Sequence, residues 1–300
     1  MNRYVAALFG ASLLWGCAWM PLKALGDAGL DGLTLAFGAF GLLALVTTAF
    51  AFVQRSIPRG NSGSLILIAL LGGGANLAFT IAMLYGEVVR AMVLFYLLPL
   101  WGVLGGRFIL GERVDRLRWL GVLFALLGAW LVLGGVNLLE SMPSWYELSG
   151  LLAGFLYAMN NLVFRGAQGL PLSSKLSAMF IGCASLALFA MLLTDTGLPQ
   201  GISTVAWGGL ALYAFVWLLI ANIGAQWGVV HLEAGRASVI LIVELVAAVI
   251  SATLIGKEQM APLEWGGAVL ILTAALIEAL RGETSVPQPV VLKEREADQL

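Results

Sequence analysis

The sequence predicts an all-α membrane protein whose ten transmembrane helices form two inverted five-helix repeats. Three observations carry that prediction. Of the 300 residues 60% are hydrophobic and 11% charged, and the mean hydropathy is +0.95, which leaves too little charge to cover a soluble domain of this length. The apolar residues gather in long runs separated by charged turns. Finally, residues 76–129 reappear without a gap as residues 222–275, at a constant offset of 146. Asn76 recurs as Asn222, Glu87 as Glu233, Arg90 as Arg236, Glu112 as Glu258, Trp119 as Trp265, Gly121 as Gly267 and Ala129 as Ala275.

Taken in order, the predicted spans lie at about 4–25, 31–54, 64–86, 90–110, 117–136, 148–165, 172–194, 204–230, 235–256 and 262–280, with ends placed to about 2–4 residues. Span one follows Arg3 as a signal peptide would. It runs past 20 residues, carries two Trp and lacks an Ala-x-Ala cleavage site, so it is expected to be retained. Residues 1–136 form the first repeat, 137–147 a linker, 148–280 the second repeat, and 281–300 a charged, Pro-containing tail expected to be disordered.

Basic residues set the orientation. With the N-terminus cytoplasmic, thirteen Lys and Arg fall inside and only Lys23, Arg90 and Lys257 outside, so both termini are expected in the cytoplasm and the linker in the periplasm. The outer connections carry Asp27, Asp31, Glu140, Glu147 and Asp195 instead. Five spans per half is an odd number, so the second half enters the membrane upside down. The first two spans of each half match less closely, with Leu14 and Trp15 aligning on Leu156 and Tyr157, and Lys23 on Arg165, at an offset of 142. Inverted repeats let one bundle adopt two mirror-like states, open to either side, with a substrate site near the midplane. That architecture predicts alternating access and hence solute movement.

The stretch Tyr96-Leu-Leu-Pro99-Leu-Trp, then Leu110-Gly111-Glu112-Arg113 and Leu117-Arg118-Trp119-Leu120-Gly121, resembles the signature of EamA-type transporters of the drug/metabolite superfamily. Its second copy, Gly256-Lys257-Glu258 with Leu263-Glu264-Trp265-Gly266-Gly267, departs from it by Leu245 in place of Pro99. Within the superfamily the chain is most similar to bacterial amino-acid exporters of the YddG-like, aromatic branch. The resemblance implies a ten-helix transporter of the bacterial inner membrane that exports amino acids or related metabolites. Relatives with similar signatures are thought to move sugars, nucleotide sugars, polyamines or drugs, so a multidrug or polyamine exporter is the runner-up.

Polar residues inside spans cost free energy unless they face the bundle interior or a wet cavity. Glu244, in Leu241-Ile-Val-Glu244-Leu-Val near the centre of span nine, has two readings: a proton-coupling or substrate-amine site, or a carboxyl that burial keeps neutral and that only bonds a neighbour. Asn76 and Asn222 hold equivalent places in spans three and eight, as interhelical glue or as substrate ligands. Thr80 and Gln226, one turn on, extend each into a polar stripe. In span six, Tyr157 and Asn161 share a helical face beside Asn160, and one of the asparagines is expected at the cavity. Trp15, Tyr96, Trp101, Tyr157 and Trp217 lie deep enough to line it, whereas Trp119, Trp145, Tyr146, Trp207 and Trp265 fit the membrane interface. The predicted substrate-binding set is therefore Trp15, Asn76, Thr80, Tyr96, Tyr157, Asn161, Asn222, Gln226 and Glu244.

Pro21 and Pro99 sit inside apolar runs, remove a backbone donor, and mark hinges or static kinks. His231, whose copy position is Tyr85, reads as an interface residue. Cys17 and Cys183 are both predicted in the membrane, which argues against a disulfide or a cysteine metal site. There is no His-Glu-x-x-His, Gly-x-Ser-x-Gly or Walker loop, which disfavours a zinc protease, an α/β-type hydrolase and an ATP-driven pump. A lipid-acting enzyme would need a convergent nucleophile and base that the chain does not display. The expected partners are a small-molecule substrate and the lipid bilayer, with no cofactor, no metal and, at a net charge of -1, no nucleic acid.

Overall fold

A computed structural model of the chain describes residues 3–53, 62–97, 100–101, 104–105, 107, 115–133, 135, 144–167, 169–197, 199–232 and 234–280. Its described elements are all helical: α1 (Arg3–Gly16), α2 (Trp19–Asp27), α3 (Gly32–Val53), α4 (Ser62–Tyr85), α5 (Val88–Phe95), α6 (Arg116–Val132), α7 (Trp145–Gly166), α8 (Leu172–Leu193), α9 (Thr204–Leu212), a π turn (Tyr213–Leu218), α10 (Leu219–His231), α11 (Ala234–Leu254) and α12 (Pro262–Leu280). Helices are what long apolar runs must form in lipid, because each backbone group then finds its partner within the segment. Five are long and apolar enough to cross a membrane: Arg3–Asp27, Gly32–Val53, Ser62–Tyr85, Leu172–Leu193 and Thr204–Ala225. Trp119–Val132, Ile240–Leu254 and Pro262–Ile277 are shorter apolar helices. The tail at 281–300, most of the linker and Glu112 with Arg113 lie outside the described residues.

Three predicted spans are irregular, each for a local reason. Span one breaks at Cys17 and Ala18, because Pro21 has no N–H to return to the Cys17 carbonyl four residues back. Met20 N bonds Cys17 O instead, at 3.1 Å. Span four starts as α5 and stops at Phe95 in a turn over Tyr96 and Leu97, just before Pro99, which lies outside the described residues. Span eight stays helical but widens into the π turn ahead of Asn222. The first and third irregularities satisfy each other. Ala18 N bonds Trp15 O, leaving the Leu14 carbonyl without its helical donor, and Trp217 Nε1 of the π turn donates to it at 2.8 Å.

Helix packing repeats with the two halves exchanged. α4 packs on α7 as α10 packs on α1, and α5 packs on α7 as α11 packs on α1. α3 with α8, α6 with α12, and α5 with α11 are pairs that the exchange maps onto themselves. That is the contact pattern of an internal two-fold axis. The two halves also run in opposite senses. Lys23 near the end of span one, Glu147 at the start of span six and Glu258 after α11 belong to one polar cluster, whereas Tyr4 at the start of span one stacks on His231 at the end of span eight.

Small residues set the tightest approaches. A Cβ on Gly182 would overlap the Ala69 carbonyl of α4, one on Gly73 would overlap the α8 backbone at Cys183, and one on Gly16 would overlap the Glu244 carbonyl of α11. The outer faces are apolar and exposed, including Leu45, Phe52, Val53, Leu192 and Leu193, and all five Trp and Tyr assigned to the interface are exposed as well.

Candidate functional site

A cavity lies where the two halves meet, built from α1, α4, α5, α7, α8, α10 and α11. Its described lining is Trp15, Ala75, Asn76, Phe79, Phe95, Tyr96, Tyr157, Met179, Asn222, Ala225, Leu241 and Glu244, around a cavity of about 120 Å³ partly open to solvent. Eight of these twelve residues are four pairs related by the internal repeat: Asn76 with Asn222, Phe79 with Ala225 and Phe95 with Leu241 at offset 146, and Trp15 with Tyr157 at offset 142. The two-fold axis therefore passes through the cavity.

Each asparagine is held in the same way. Asn76 Nδ2 donates to the Gly72 carbonyl and Asn222 Nδ2 to the Leu218 carbonyl, both at 2.8 Å and both four residues back in their own helix. That bond uses one N–H of each amide and leaves its second N–H and its oxygen for the space. Rings wall the rest. Trp15 meets Phe79 edge-on at 6.1 Å, Phe79 meets Phe95 at 5.3 Å, and Phe95 meets Tyr96 at 5.8 Å and Tyr157 at 5.7 Å. The Tyr96 hydroxyl donates to the Leu241 carbonyl at 2.8 Å and lies beside the Glu244 carboxyl. Glu244 is buried and is the only carboxyl side chain among the described lining residues.

Six of the nine residues named from the sequence thus line one cavity: Trp15, Asn76, Tyr96, Tyr157, Asn222 and Glu244. Thr80 is buried but turns back to donate to the Asn76 carbonyl at 2.9 Å. Asn161 is exposed and does not line it; its neighbour Asn160 is the buried one, with an unpartnered Oδ1 close to Gly72 and Met179. The Gln226 side chain and Pro99 lie outside the described residues. Of the two deep tryptophans left out of that set, Trp217 bonds the Leu14 carbonyl and Trp101 packs edge-on against Phe155 at 5.2 Å. Ala75, Phe79, Phe95, Met179, Ala225 and Leu241 join the lining without having been expected. The repeat held a signal for four of them, since Phe79 and Ala225 sit three residues after the paired asparagines and Phe95 and Leu241 are copies of each other.

The family model of the EamA-like transporter family matches residues 2–134 and again residues 144–279, one match per repeat. The chain belongs to that family of membrane transporters. A solved structure described only as "Crystal structure of protein" superposes with a TM-score of 0.62 at 17% identity, over 93% of this chain and 97% of that one, a likeness of fold alone. No curated protein matches in sequence.

Proposed function

We propose that this EamA-like family member is a ten-span secondary transporter of the bacterial inner membrane, with both termini cytoplasmic, that exports amino acids by alternating access. Large apolar or aromatic ones, as in the YddG-like branch, suit it best. The observation that carries this reading is the chemistry of the cavity: one carboxyl, two amides and a chain of aromatic rings around one space. Glu244 takes the substrate ammonium, assisted by the faces of Tyr96 and Tyr157. Asn76 and Asn222 are close enough in kind to hold the carboxylate through their amide N–H groups, and the Phe79 and Phe95 rings receive the side chain. Because Glu244 is the charged group that meets the substrate, it also carries the coupling proton.

One observation favours the runner-up, export of polyamines or cationic drugs. The described lining offers a carboxylate and no basic side chain, so a cation without a carboxylate of its own leaves nothing unpaired. Purified protein in liposomes, given a panel of labelled amino acids and, separately, a polyamine and a quaternary ammonium dye, distinguishes the two. Saturable movement of phenylalanine, tryptophan or leucine, competed by their unlabelled forms, is the expected result. Movement of the cations alone replaces the amino-acid reading with the runner-up.

A further inference from the structure

At the end of the bundle opposite the start of α1 and the end of α12, one arginine gathers carboxylates from three elements. Arg90, in the first turn of α5, donates from Nε to Glu264 at 2.7 Å and from Nη1 to Glu147 at 2.8 Å, and pairs with Glu87 at 3.1 Å. Glu147 and Glu264 open α7 and α12 in the second repeat, and both are buried. The guanidinium fork suits this, because its five fixed donors serve two carboxylates at once. Glu258 adds a second bridge. Its two carboxylate oxygens accept from Val88 N at 2.9 Å and Val89 N at 3.0 Å, and Lys23 of α2 approaches it at 3.4 Å. The N-cap residue of α5, Glu87, makes no side-chain cap, so the free N–H groups and positive end of that helix are satisfied from the other repeat, 170 residues away.

We infer that this cluster is a latch that joins the two repeats and closes the cavity on that side, making Arg90 and Glu258 the residues that decide which side opens. The inference rests on the transport reading above. α5 is the shortest described helix that reaches the cavity, and it spans only about 9 Å from Arg90 to Tyr96 at 1.5 Å per residue. Fixing its first turn to α7 and α12 therefore fixes Phe95 and Tyr96 against Tyr157 and Glu244. Ion pairs suit a mouth that must also open. Each partner recovers water when the repeats part, so the network holds position without the cost of exposing an apolar seal of the same size. The latch is only partly repeated in sequence. Arg90, Glu87 and Glu258 have copies in Arg236, Glu233 and Glu112, but the copy of Glu264 is Arg118, which has the same sign as Arg236.

Side-specific labelling tests the latch without any substrate. Ala225→Cys, in a chain with Cys17 and Cys183 changed to Ala, places a thiol in the cavity, and a membrane-impermeant maleimide is applied to vesicles of each orientation. Protease removal of a C-terminal tag defines the sides. The parent is expected to label at least tenfold faster from the side of the termini than from the latch side, and Arg90→Gln or Glu258→Gln to remove or reverse that ratio. A residue with only a structural role would lower the melting temperature and leave the ratio unchanged. Should Arg90→Gln fail to elute as folded protein in gel filtration, Glu258→Gln and Glu147→Gln decide the matter. An unchanged ratio in the folded variants, or a parent labelled mainly from the latch side, overturns the latch. Failure of the amino-acid panel alone leaves it standing.

Discussion

α5 and α11 are copies that share a register and differ in how they end. Phe95 and Leu241 occupy equivalent places and both line the cavity. One residue later α5 gives way to a turn ahead of Pro99, whereas α11 continues without interruption to Leu254 and carries Glu244 where the first copy has Leu98. The preceding helices differ too, since α4 is regular throughout and its counterpart holds a π turn. On the transport reading proposed above, the paired residues make the wall with its two amides, and the unpaired Glu244 supplies the acid. A bundle that opens to either side needs a wall that looks alike from both, which duplication supplies. A single ammonium needs a single carboxylate, and a second facing it across the axis would leave one of the two protonated.

Removing the unpaired charge breaks this comparison most directly. Glu244→Gln keeps the shape of the side chain but cannot titrate, so transport in liposomes should fall at least tenfold, about 1.4 kcal/mol of transition-state stabilisation, while the remaining activity loses its pH dependence. Gel-filtration behaviour should match the parent. If the pH dependence persists, coupling lies elsewhere and Glu244 is a neutral donor within the wall.

A smaller effect tests the paired side. Asn76→Leu and Asn222→Leu should each reduce transport severalfold and to a similar degree, and by more than they reduce the yield of folded protein. Loss of a membrane hydrogen bond costs only about 0.6 kcal/mol on average, so stability should change little. Unequal losses would mean that the wall is not functionally two-fold, and losses that merely track folded protein would leave both asparagines as helix glue.

The smallest effect belongs to the turn before α5. Partial burial of a side chain that stays largely exposed, followed by the neighbouring Glu264, Glu258 and Glu147, raises the Glu87 carboxyl above its ordinary value of 4.5 despite Arg90 beside it. A carboxyl raised in the folded state favours folding when protonated, so its contribution is present below about 4.5 and is lost as pH rises through the raised value. Glu87→Gln should therefore raise the melting temperature by a degree or two at neutral pH, and the difference should vanish as the pH approaches 4.5. An unchanged difference across that window would show that the four acids at this end do not share one electrostatic environment.

Much of the candidate site was legible from residue types and the repeat, and the misses have identifiable causes. Asn161 stands four residues from Tyr157 and Asn160 three, and helical spacing allows either to share its face. A rotation of about 100° separates them, and the packing of α7 on α4 at Gly72 brings Asn160 inward. Phe79, Phe95 and Leu241 carry no polarity to mark them, since an apolar residue in an apolar span says nothing of what it faces.

By itself the sequence determined the membrane class, the repeat, and the one carboxyl within the apolar run of span nine. Those follow from composition, periodicity and charge, which are properties of local stretches of chain. The tertiary structure alone decided where the pairs converge, which asparagine is buried, that Trp217 satisfies the Leu14 carbonyl across 203 residues, and that α5 is capped by Glu258 from the opposite repeat. Each of these joins groups far apart in the chain across a helix interface. The rotation and depth of helices in such interfaces are set by small-residue contacts and polar bonds between them, and no local pattern encodes those.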